Sequence, residues 1–256
     1  MKKQLFKKFK YVKWYSIGKQ LLNDPIFKEG LEKSEKEYLK QPNRSQVINF
    51  LLEILDRETE YLEIGVRNPN DNFNKINASK KYSVDPGIEF QENPVDFKLT
   101  SDEFFDQLRR EQILDSSTRL DVIFIDGLHL AEQVDRDIKN ALDFIKDDGF
   151  VVLHDCNPPT EWHARELFHF YFTPAGGYWN GTTWKAFLKA RFNTEVHSCC
   201  IDTDSGVGIL SKKWEIGQCI KPENEFFEFS DLDSNRVRQL NLISFEEFKL
   251  LCHRNR

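Results

Sequence analysis

Four polar residues close two apolar runs of this chain. "DVIFIDGLH" ends in Asp126 and His129, and "GFVVLHD" ends in His154 and Asp155. Such groups can form a base with an orienting partner, hold a divalent metal, or be ordinary loop polarity. A free histidine titrates at about 6.5, so His129 and His154 are both candidate bases for an alcohol or phenol. Asp155 could orient His154. Alternatively, Asp126 or Asp155 could hold a metal that acidifies the attacked group. The plainer readings stay open: His129 caps the next helix, His154 is a buried histidine satisfied by backbone, and Asp126 is a turn acid before Gly127.

The surrounding elements decide whether these groups can meet. "YLEIGV" (61–66), "KKYSVDPG" (80–87), "VDFKL" (95–99), "DVIFIDG" (121–127) and "GFVVLHD" (149–155) read as five strands. Helical patterns separate several of them. Val134, Ile138, Ala141 and Ile145 form one stripe, and Thr100 with Glu103 has capping-box spacing. Strand–helix alternation with near-continuous apolar strands predicts an α/β, doubly wound, mostly parallel sheet. "TEVHSCCIDTDSGVGILSKK" then reads as two strands joined by a short turn, which must pair antiparallel. We divide the chain into a helical extension (1–43), a core (44–215) and a polar tail with a short helix (216–256).

In such sheets ligands bind beyond the carboxyl ends of the strands. Gly65 ends the first strand and Asp85 the second, twenty residues later. A glycine allows close backbone approach, and an acid at that distance can accept from ribose hydroxyls. "EIGVRNPNDN" lacks the later glycines of a dinucleotide fingerprint, which argues against NAD or FAD.

"YLEIGV", "KYSVDPG", "TSDEFF", "VIFIDGLHLAEQVDRDI" and "GFVVLHDCNPP", in this order, resemble class I S-adenosylmethionine-dependent methyltransferases. Within these the chain is most similar to the small-molecule O-methyltransferase group of macrocin-type and cephalosporin-cluster enzymes. The likeness covers roughly residues 45–212. It implies a Rossmann-like, seven-stranded fold with a closing antiparallel hairpin. It also implies methyl transfer to a small-molecule or sugar hydroxyl. Glu63 and Gly65 would border the methionine part of the cofactor, Asp85 the ribose, Thr100 and Ser101 the adenine, and Asp126 and His129 the sulfonium and acceptor. Some relatives bind Mg2+, and Asp126 and Asp155 match two ligand positions. The next position falls on Cys156, a poor magnesium ligand, followed by Asn157. Ala131 stands where many relatives have tyrosine, and Arg67, Asn68 and Pro69 occupy the glycine turn. Two rivals remain: an NAD-type Rossmann oxidoreductase, and a catalytically degenerate nucleoside-binding or membrane-associated scaffold.

Beyond the fifth strand, "CNPPTEWHARELFHFYF" and "GGYWNGTTWKAF" are rich in aromatics. Glu161, Trp162, His163, Trp179, Asn180 and Trp184 could wall an acceptor site, since Trp and Tyr faces suit sugars and flat rings. Core packing of a lid helix is the competing reading, with Gly176 and Gly177 as hinges.

Composition sets the limits. The 256 residues are 39% apolar and 30% charged, enough for one α/β domain with extensions and unlike a disordered chain. A net charge of −6 argues against a general nucleic-acid binder. Yet the first 20 residues carry Lys2, Lys3, Lys7, Lys8, Lys10, Lys13 and Lys19 and no acid, interleaved with Leu5, Phe6, Phe9, Val12, Trp14 and Tyr15. This segment is either a helix docked by its aromatics or a peripheral contact with an anionic membrane. It lacks a signal peptide's apolar run, and no stretch is long and apolar enough to span a bilayer. Five cysteines without a C-x-x-C pair point to free thiols in a reduced, cytoplasmic setting. A homo-oligomer is compatible with all of this.

Overall fold

A computed structural model describes residues 2–90, 92–115, 117–168 and 172–255, without the side chains of residues 2–8. Outside the described residues therefore lie the side chains of Lys2, Lys3, Leu5, Phe6, Lys7 and Lys8, and all of His169, Phe170 and Tyr171. Two helices come first, α1 (Lys2–Asn23) and α2 (Pro25–Tyr38). Asp24 caps α2 by accepting from the Phe27 N–H at 3.1 Å. Helix α3 (Arg44–Ile54) starts at a capping box made by Asn43 and Gln46.

The core sheet then forms from β1 (Glu60–Ile64), β2 (Lys80–Val84), β3 (Leu120–Ile125), β4 (Ile145–Leu153), β5 (His197–Ile201) and β6 (Val207–Ser211). Between them run α4 (Ser101–Arg109), α5 (Ala131–Phe144) and α6 (Thr183–Ala190). After α7 (Phe229–Leu240) come a short strand, β7 (Leu242–Ile243), and α8 (Phe245–Arg254). The strand order is β2-β1-β3-β4-β6-β5-β7. Pairing is parallel from β2 through β4, antiparallel at β4–β6 and β6–β5, and parallel again at β5–β7.

Side chains leave each strand alternately to two faces. Ile123, Ile125, Val151 and Leu153 pack under α4, α5 and α6, with Leu232 and Leu240 of α7. Val122, Phe124, Phe150 and Val152 face α3 and α8. Burial on both faces explains the near-continuous apolar runs.

Two sequence readings need correction. "VDFKL" forms no strand; it contributes a single bridge between Phe97 and Val84. Asp96 explains the loss: its carboxylate accepts from the Ser83 N–H and hydroxyl, at 2.9 and 2.7 Å, in place of a ladder. The seventh strand is supplied instead by Leu242 and Ile243 of the C-terminal region, so that region completes the sheet. All five cysteines are free.

Candidate active site

The carboxyl ends of β1, β3 and β4 meet because Gly65 lets them. It adopts φ +91°, and a Cβ there would lie 2.4 Å from the Asp126 carbonyl oxygen and the Gly127 Cα. A side chain would force β1 and β3 apart. Around this contact opens a cavity of about 550 Å³, floored by strand ends and roofed by α2, with Ser34, Glu37 and Tyr38 in its wall.

Glu63 is buried in the floor. It accepts from the Tyr61 hydroxyl at 2.6 Å and the Asn72 amide at 2.8 Å. Burial pushes its carboxyl up to about 7, although these two hydrogen bonds favour the ionised form.

Beside it the four residues from the strand ends form one cluster. Asp126 Oδ1 lies 3.3 Å from His129 Nε2 and 3.1 Å from His154 Nδ1. Asp155 Oδ2 lies 3.1 Å from His129 Nδ1 and 3.3 Å from His154 Nδ1. Asp155 thus touches both imidazoles rather than orienting His154 alone. It is held in the left-handed region at φ +59°, and its Oδ1 accepts from the Asn180 amide at 2.8 Å.

Two members of the cluster escaped sequence reasoning. Arg44, in the first turn of α3, reaches Asp126 at 3.6 Å and Asp204 at 3.3 Å. Its backbone N–H also donates to Asp204 at 2.7 Å, so a helix N-terminus supports that carboxylate. Asp204, in the turn between β5 and β6, accepts at 3.2 Å from His154 Nε2. Only the repeated acids of "DTDSG" hinted at this role.

Charge settles the states of the cluster. Burial alone would raise Asp126, but His154, His129 and Arg44 hold it well below the usual carboxylate range. Asp204 is lowered likewise, by His154 and Arg44 against its burial. Burial would lower His154, yet Asp155 and Asp126 lift it well above the ordinary histidine value. With both ring nitrogens against carboxylates, His154 is a doubly donating imidazolium strut. His129 is raised too, by Asp155 and Asp126 against burial. Its Nδ1 has no aligned hydrogen bond, and its ring stacks on Trp179, centroids 5.2 Å apart at 17°. It does not cap α5: the Ala131 N–H donates to the Thr182 hydroxyl at 2.8 Å.

The other sequence candidates divide. Trp179 and Asn180 join the cavity wall. His163 lines it too and bridges Ser34 and Thr160, at 2.8 Å on each ring nitrogen; burial pushes it down to about 4. Glu161, Trp162 and Trp184 line a different cavity of about 470 Å³, and Trp184 is a core residue packed against Phe227 and Phe229. Asp85, Thr100 and Ser101 sit at the ends of β2 and the start of α4, outside the main cavity's lining. Asp85 accepts from the Gly87 N–H at 2.6 Å, Thr100 caps α4, and Ser101 accepts from Gln133 at 3.1 Å.

Donor atoms of Asp126, His154 and Asp155 lie within 4.8 Å of one another. Magnesium prefers an all-oxygen octahedron. Here the third donor is an imidazole, and Arg44 already faces the acids. Cys156 points into the core beside Gly208 and Phe187, and the Asn157 amide is taken by Arg236 and Asp202. The residues do not fit magnesium, whereas the glycine approach, the buried Glu63 and a cavity of this size do fit the methionine end of a nucleoside cofactor.

A parallel sheet closed by an antiparallel pair, with polar residues gathered at the carboxyl edge, defines a Rossmann-like class I methyltransferase fold. Residues 46–156 match the family model of a methyltransferase domain. No curated protein matches it. Among solved structures, the Bacillus cereus O-methyltransferase in complex with SAH is 14% identical. The match covers 73% of this chain and 89% of that one, with TM-score 0.42. The SAH-bound Podospora anserina methyltransferase PaMTH1 is also 14% identical, over 74% and 88%, with TM-score 0.44. MycE of the mycinamycin pathway, in complex with Mg, SAH and mycinamycin VI, is 13% identical over 76% and 56%, with TM-score 0.42.

Proposed function

We propose that this protein methylates a hydroxyl of a small molecule, a sugar or glycan-linked metabolite being the best fit. The observation that carries this reading is His129, stacked on Trp179 beside Asp126 and Asp155 in the cavity wall. The exposed Tyr178 ring in the same wall suits a sugar ring or a flat ring.

Bound S-adenosylmethionine supplies an electrophilic methyl group on a sulfonium. Glu63 and the Gly65 turn would receive its methionine part; Asp85, Thr100 and Ser101, along the same sheet edge, would receive the adenosine part. With that methyl donor in place, His129 would take the proton of the acceptor hydroxyl. Asp126 and Asp155 hold the imidazole in place and stabilise its charged form. His154 and Arg44 fix those acids. No step requires a metal. Placing the two reactants in line can supply up to roughly 7–11 kcal/mol in ideal cases.

Calorimetry with S-adenosylmethionine, S-adenosylhomocysteine and NAD tests the reading. We expect both methionine nucleosides to bind and NAD not to; binding of neither nucleoside would overturn it. Because Asp126 and Asp155 raise His129, the methyl-transfer rate should climb with pH through a value above the ordinary histidine range. A rate independent of pH there would remove His129 as the base.

A further inference from the structure

Helix α1 carries a surface that the other described residues leave uncovered. Phe9, Trp14 and Tyr15 are 69%, 61% and 75% exposed, and Tyr11, Val12 and Leu22 are exposed as well. Lys10, Lys13 and Lys19 lie among them in solvent. The main packing partner of α1 is α2. A terminal helix docked by its aromatics would bury these rings, and this one does not. Large exposed apolar groups of this kind mark an interaction surface.

The mouth of the cavity has exposed apolar residues of its own. Tyr38, Leu128, Phe168 and Tyr178 line that cavity and are 41–75% exposed. Helix α2 joins the two regions, since it follows α1 through the Asp24 cap and carries Ser34, Glu37 and Tyr38 into the cavity wall.

We propose that α1 and this apolar rim dock the protein on an anionic membrane surface, with the cavity opening toward an acceptor carried on an amphiphile. Tryptophan and tyrosine suit the headgroup level, with a ring in the apolar layer and a polar tip in water. Lysines lay their stems along apolar matter and reach lipid phosphates with the ammonium. In α1 lysines and apolar residues alternate around the whole helix, so binding needs both kinds of contact. A nucleic acid fits less well. Residues 1–20 carry +7 of a total of −6, leaving −13 on residues 21–256. A flexible polyanion would meet that body, whereas a bilayer's charge stays in one plane and is screened within about 10 Å. The apolar rim favours the bilayer as well.

The docking does not depend on the methyl-transfer reading; only the amphiphilic acceptor does. The test is co-sedimentation of the full chain with vesicles of phosphatidylcholine containing phosphatidylglycerol, against vesicles of phosphatidylcholine alone. Strong preference for the anionic vesicles, weakened by added salt, is expected. The triple variant K10E/K13E/K19E should lose binding on the order of 100-fold, since each lysine near the surface contributes roughly five-fold. W14A/Y15A should weaken what remains at high salt. Equal binding to both vesicle types, or unchanged binding by the triple variant, overturns the proposal. So does retention of an oligonucleotide, or a dimer, that depends on α1 while vesicles are ignored. Calorimetry of the variants with S-adenosylmethionine, without vesicles, should match the wild type. It checks their folding and tests the cofactor site separately from the membrane.

Discussion

Strand β3 has an acid at each end, one buried and one half-buried, and the two differ in what surrounds them. Asp121, at the amino end, is fully buried. It accepts from Arg57 at 2.8 Å, from Lys146 at 2.7 Å and from the Glu60 N–H at 2.8 Å. Arg57 continues to Asp148 with two bonds of 2.7 Å. Arg57 stays charged throughout the physiological range, and Asp121 lines none of the cavities described above. Asp126, at the carboxyl end, has a cation too, but its other partners are imidazoles and it faces open space. A buried, paired acid alone therefore does not mark a site. Titratable partners beside a cavity do.

Exchanging or removing members of the two networks should separate them. The largest effect is expected from His129→Ala, which should lower the methyl-transfer rate about 10²- to 10⁴-fold with little change in melting temperature. A comparable loss of stability would mean that His129 is structural, like the partners of Asp121. Asp121→Ala should do the opposite. Stranding the cations of Arg57 and Lys146 should cost about 3–5 kcal/mol in denaturant unfolding, while the rate per folded molecule holds.

Glu63 gives a smaller, pH-shaped effect. Its folded value of about 7 lies above its ordinary value of 4.5, so the native state holds an extra proton between the two. Stability from this group is full below about 4.5 and is lost as pH rises to about 7, by up to about 3 kcal/mol. Glu63→Gln should flatten that window in thermal melts. A cationic ammonium beside Glu63 should also make cofactor affinity rise across the same window. An affinity that falls instead would place the ammonium elsewhere. The smallest effect is expected at the roof. Ser34→Ala removes the bond to His163 and should cost about 1–2 kcal/mol, raising the KM for the acceptor more than the Kd for the cofactor. A rise in cofactor Kd alone would show that α2 covers the other end of the cavity.

Much of this was written locally. The β3 and β4 runs, the Val134, Ile138 and Ala141 stripe on α5 and the Thr100–Glu103 cap are short-range patterns that form as their spacing dictates, whereas Ile145 leaves the stripe to open β4. The sheet edge that gathers Asp126, His129, His154 and Asp155 also follows from the sequence, because parallel strands all present the same ends to one side. Three outcomes depended on partners remote in the chain. Arg44 and Asp204 enter the cluster across 160 residues. Residues 95–99 lose their ladder to the Asp96–Ser83 bonds, and the last strand comes from Leu242 and Ile243. The aromatics after β4, alike in sequence, part into Trp179 on the active-site cavity and Trp184 in the core. Local periodicity fixes which face a side chain leaves by; which distant groups then share its burial and its charge is settled only when the layers close.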